Sequence, residues 1–155
     1  MQPNDSFIKT LNDLVRINND RITHYEIAIE ETDSNDIHLK GIFNKMANDS
    51  LDNVRELSYI LETAGVTVAT DTTVPCNIYP AWMDVKAALT GSIRDALLST
   101  CKFGEDMVQK AYNVALASDS EIDAAARQLL TKQRFELKKS LNTIKEYLEL
   151  HGTES

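Results

Sequence analysis

Gln133 and Glu136 stand three residues apart in the stretch TKQRFELKKS, and Ser140 follows at the next turn. Ser50 and Asn53 show the same spacing earlier in the chain. On a helix, residues three apart share a face. In a carboxylate-bridged metal bundle this register carries a Glu-x-x-His pair on each of two helices. A Glu from each of the other two completes a site for two iron or manganese ions. Here the spacing is kept while the residue types differ. Amides and hydroxyls stand where carboxylate and imidazole would be needed to neutralise two divalent cations.

Polar residues interrupt each apolar stripe near the middle of its helix. Asn18 does so on the first helix, Ser50 and Asn53 on the second, and Thr100 with Gly104 on the third. Gln133 and Ser140 do so on the fourth, with Glu136 at the edge of its arc. In helices of equal length those midpoints share one level, so the four interruptions are expected to meet. Two readings follow. A weak or mononuclear metal site would rest on Glu136, joined by Asp49 at the edge of the second arc. A neutral polar layer would instead set helix register, as a buried Asn does in coiled coils. The second is favoured, because an uncharged layer can satisfy its own hydrogen bonds. No resident metal or other cofactor is therefore expected, with iron or manganese as the alternative. On this reading Gln133→Leu should be neutral or stabilising. None of the three histidines, His24, His38 and His151, falls in the layer. Glu105 reads as facing away from the stripe, and Tyr25, Tyr112 and Tyr147 read as packing residues with their hydroxyls at the rim.

The elements that must position these residues are long and little interrupted, since only 5 Gly and 3 Pro occur. An apolar stripe at helical spacing runs through Phe7, Ile8, Leu11, Leu14, Val15, Ile22, Tyr25 and Ile29. Thr32 to Asp36 ends that helix and caps the next, which buries Leu39 through Leu61 and stops at Ala64-Gly65. Residues 66–80 are rich in Thr and close with two prolines, which excludes a continuous helix. A short helix carrying Trp82, Met83, Val85 and Leu89 is expected over 81–89, broken at Thr90-Gly91-Ser92. Ser92-x-x-Asp95 restarts the chain. The third helix places Ile93, Ala96, Leu97, Met107, Val108, Ala111 and Ala115 inward. Ser118-x-x-Glu121 forms a capping box that opens the fourth. The expected fold is an all-α, ferritin-like four-helix bundle whose middle connection of about 25 residues is one long crossover. Residues 1–155 make a single domain with its core over roughly 5–150.

Composition narrows the function classes. A formal charge of -8 argues against nucleic-acid binding, which needs clustered Lys and Arg. No apolar run is long enough for a membrane span, and the N-terminus has no secretory pattern. Cys76 and Cys101 lie in no metal-ligand or redox spacing, and two isolated thiols suit a reducing cytoplasm. No nucleophile elbow, phosphate loop or dinucleotide fingerprint is present.

Three stretches, LNDLVRINNDRITHYE (11–26), AWMDVKAALTG (81–91) and GEDMVQKAYNVAL (104–116), resemble a bacterial family of ferritin-like four-helix-bundle domains of unknown function. The resemblance spans roughly residues 7–150. It implies the fold but no activity, because the family has none defined. Where relatives often carry His, this chain has Ser140, which weakens the metal reading further. The expectation is a non-catalytic bundle working through protein contacts or as a homo-oligomer. A metal-handling relative is the alternative. A carrier with a cavity lined by Met46, Thr100, Met107 and Gln133 is the third reading.

Overall fold

In a computed structural model, residues 5–73, 88, 92–118 and 122–153 are described, and they form four helices. These are α1 (Asp5–Glu31), α2 (Ile37–Thr63), α3 (Ile93–Ala117) and α4 (Ala124–Thr153). The chain is an all-α four-helix bundle, with no strand among the described residues. The expected short helix over 81–89, its anchors Trp82 and Met83, the break at Gly91 and Cys76 all lie outside them.

Helix boundaries follow local chemistry. Asp36 accepts from the Leu39 backbone N–H at 3.2 Å and so caps α2. At the far end of α2, Gly65 takes the left-handed conformation with φ 76° that a side chain would resist. Ser92 caps α3 by accepting from Asp95 N–H at 3.2 Å. The capping box expected at Ser118-x-x-Glu121 involves residues outside the described ones. Ser118 ends α3, its hydroxyl turned back to the Ala115 carbonyl. At the start of α4, the Asp123 carboxylate accepts from Ala126 N–H at 2.7 Å.

The core residues reveal the direction of each helix. One apolar cluster joins Phe7 to Val15 of α1, Leu57 and Leu61 of α2, Val108 to Ala115 of α3, and Ala126 to Leu137 of α4. A second joins Tyr25 and Ala28 to Leu39 to Ala47, Leu97 to Cys101, and Ile144. Each cluster thus takes the start of α1 and α4 with the end of α2 and α3, or the reverse. Helices α1 and α4 run one way, α2 and α3 the other. The main contacts are α1 with α2 and α3 with α4, then α1 with α3.

Residues 67–73, which follow α2, run along α1. Asn12 brackets the strap, its Nδ2 donating to Thr67 O at 3.5 Å and its Oδ1 accepting from Ala69 N at 2.9 Å. One helical turn on, Arg16 binds the Asp71 carboxylate at 2.9 Å, and Asn19 donates to Asp71 O at 3.1 Å. Asp20 then accepts from Thr73 N at 2.9 Å. From Asn12 to Asp20 the strap climbs about 12 Å of helix.

On α3, two residues expected inward face solvent: Ile93 is 59% and Met107 43% exposed. The buried row is Leu98, Cys101, Glu105, Val108, Tyr112 and Ala115, alternating steps of three and four.

Candidate functional site: a buried polar band

Between the two apolar clusters lies a band of buried polar side chains. Asn18, Ser50, Asn53, Thr100, Gln133 and Ser140 are all buried, as expected for the layer. Four of them meet directly. Ser50 Oγ donates to Asn18 Oδ1 at 3.0 Å, and Asn53 Nδ2 donates to the same oxygen at 3.2 Å. Asn18 Nδ2 donates to Leu14 O and to Tyr112 Oη, both at 2.9 Å. Tyr112 Oη donates to Gln133 Oε1 at 2.6 Å. Gln133 Nε2 donates to Asn53 O at 3.4 Å and, at the long distance of 3.5 Å, to Glu56 Oε1. Thr100 turns back on its own helix, donating to Ala96 O at 2.7 Å.

One turn towards the other cluster the band becomes charged. Arg21 Nε binds Glu105 Oε1 at 2.7 Å, with both side chains sealed from solvent at 2% and 1% exposure. The Tyr25 hydroxyl donates to the same Glu105 oxygen. Arg21 Nη1 donates to Met46 O and to Ser50 Oγ, both at 2.8 Å. Ser50 therefore links the charged and neutral parts. Burial opposes the Arg21 charge, but Glu105 beside it holds the guanidinium pKa above its ordinary value. Burial, reinforced by Glu105, raises the Tyr25 hydroxyl well above the usual range. Burial likewise raises Tyr112 and the free thiol of Cys101.

Several sequence expectations change here. Glu105 was expected to face away from the stripe, yet it is buried, because it occupies the inner row between Cys101 and Val108. Tyr25 and Tyr112 hold their hydroxyls inside the core and not at its rim. Glu136 stands outside the band, its side chain 55% exposed and bound to Lys139 at 3.3 Å. Asp49 is 38% exposed and bound to Lys45 at 2.8 Å. The structure does not bring these two carboxylates to the buried layer.

Arg21 and Glu105 were missed, though a signal existed. On α1 the inner row runs Phe7, Leu11, Leu14, Asn18, Arg21, Tyr25, Ala28, in alternating steps of four and three. The α3 row has the same alternation with Glu105 in it. A stripe defined only by apolar residues skips both charges. A strict alternation of steps includes them as one cation and one anion at matching depth.

The donor set does not fit a metal centre. Among the described residues no group of three or more His, Cys, Asp or Glu side chains is arranged to hold an ion. Of the buried carboxylates, Asp20 is turned to the strap and Glu105 is held by a guanidinium, which repels a second cation. The proposed carrier cavity also loses a wall, since Met107 faces outward while Met46, Thr100 and Gln133 are buried.

A four-helix bundle with an internally paired polar band is thus what fold and site define together. The chain belongs to the family described as a domain of unknown function (DUF2383), whose model matches residues 6–118. The match ends at Ser118, just past α3, so α4 lies beyond it, whereas the resemblance read from the sequence ran to about residue 150. No curated protein matches the chain. No described helix is long and apolar enough to cross a membrane.

Proposed function

We propose that the chain is a non-catalytic, ferritin-like helical module of the cytoplasm that works through protein contacts, its first partner a second copy of itself. The ferritin-like reading draws support from the paired helix directions, α1 with α4 and α2 with α3. The non-catalytic reading draws support from the band, whose polar groups are spent mainly on one another.

One observation carries the contact reading. Phe103, Met107 and Val114 are 56%, 43% and 70% exposed. Their steps of four and seven keep them on one outward ridge of α3. Lys102 and Asp106 pair beside this ridge at 3.1 Å, and Lys110 lies between Met107 and Val114. If two copies cross antiparallel about a two-fold axis, Phe103 faces Val114 of the second copy. Asp106 then comes close to Lys110 of the second copy, and the surface is complementary to itself. Three side chains bury far less than the roughly 1,200 Å² of a stable interface, so the association is weak and concentration-dependent.

Sedimentation equilibrium over a wide concentration range tests this. Self-association that weakens in Phe103→Ser and Val114→Ser is the expected result. A monomer at every concentration, or association indifferent to both substitutions, would remove the reading.

A further inference from the structure

Arg21 and Glu105 leave part of their hydrogen-bonding capacity unused inside the core. Arg21 engages Nε and Nη1, but Nη2 has no partner. Glu105 takes two bonds on Oε1 and none on Oε2. A buried polar atom left unpaired is costly, and more so when it is charged. Both atoms flank the same 2.7 Å contact, each joined through one carbon to the atom that makes it.

We propose that this place is a binding site for an internal water molecule, held by Arg21 Nη2 and Glu105 Oε2 between α1 and α3. The chemistry selects a neutral guest. An anion drawn to Nη2 would meet the Glu105 carboxylate, and a cation drawn to Oε2 would meet the guanidinium. The guest must accept from an N–H and donate to a carboxylate, and water is the smallest molecule that does both. A third contact is in register. Tyr112 pairs with Gln133 across α3 and α4, and Gln109, earlier on α3, with the Arg134 carbonyl, later on α4. Continuing that antiparallel register by two turns brings the buried Ser140 level with Glu105. Three polar partners are what a buried water typically finds. Tyr25 covers Glu105 through its hydroxyl, and both charged side chains are sealed from solvent, so a water held there would exchange slowly. This role goes beyond the contact reading above and does not depend on it.

The competing arrangement is a rotation of the two side chains into a bidentate pair that satisfies Nη2 and Oε2 directly. A high-resolution crystal structure of the full chain separates the two. A water within hydrogen-bond distance of both atoms is expected, and a bidentate pair without water would overturn the proposal. In solution, ¹⁷O relaxation dispersion should count one fewer long-lived water in the Arg21→Met/Glu105→Leu double variant than in the parent. An unchanged count would overturn it equally. If the double variant does not fold, the crystal structure of the unmodified chain decides alone.

Discussion

Gln133 accepts from the Tyr112 hydroxyl and donates to the Asn53 carbonyl, so its removal strands a buried phenol. The sequence alone suggested that Gln133→Leu would be neutral or stabilising. The network reverses that sign: a loss of about 1–3 kcal/mol is expected, because Tyr112 Oη then has no acceptor. Urea denaturation of the variant measures it, and an unchanged midpoint would mean that Tyr112 finds another acceptor. His24 offers a second test. Half-buried on α1, it is held by burial at a pKa of about 4, below its ordinary 6.5. The unfolded chain therefore takes up a proton in a window where the folded chain does not. Stability contributed by the neutral ring is complete above about pH 6.5 and is lost as pH falls towards about 4. Comparing denaturation midpoints at about pH 7 and about pH 5 should show that loss, and His24→Gln should reduce the difference. The neutral part of the band was legible in the sequence because amides among leucines stand out. The ion pair was not, because a lone Arg or Glu beside apolar residues looks like the edge of a stripe. Only its partner on another helix makes burial affordable.

Among the elements, the strap is tied to α1 by polar bonds, while Val66, Val68 and Ala69 pack against the neighbouring apolar cluster. Asn12 contributes two of the bonds, one to Thr67 and one to Ala69. Asn12→Ala should release this stretch locally while costing the whole protein little, since surface substitutions of this kind rarely exceed ~0.5–1 kcal/mol. Hydrogen exchange should then quicken at Ala69 and its neighbours and stay slow in the inner rows of the helices. Faster exchange throughout would show that the strap is integral to the core. The four helices themselves could be read from period and punctuation: Gly65, Asp36 and Ser92 act at their expected places. The bond from Ala126 N–H to Asp123 at the start of α4 was not read, because Asp123 stands among several residues able to cap.

At the scale of the whole molecule, the bundle is two apolar clusters with a polar band between them. Its outer surface keeps an apolar ridge on α3. If that ridge pairs two copies, dimerisation adds to folding stability by mass action, and the thermal midpoint rises with protein concentration. The Phe103→Ser and Val114→Ser variants, built for the sedimentation test, should flatten that dependence. The ridge was hidden in the sequence for a simple reason. Ile93 and Met107 look like core residues, and counting them inward rotates the inferred inner face of α3. That same rotation put Glu105 outside. Helix α4, which lies beyond the family match, supplies Gln133 and so closes the band.

The hydrogen bonds of that band also have a direction. Arg21 gives to Ser50, Ser50 to Asn18, Asn18 to Tyr112, Tyr112 to Gln133, and Gln133 to Glu56. Asn18 cannot reverse its amide without facing the Leu14 carbonyl with an oxygen. The row therefore behaves as a compass needle laid across the helices, from a sealed positive charge towards an acidic residue near the surface. Its bonds all point one way, so each polarises the next from Arg21 to Gln133, and the 3.5 Å contact with Glu56 is its outermost link.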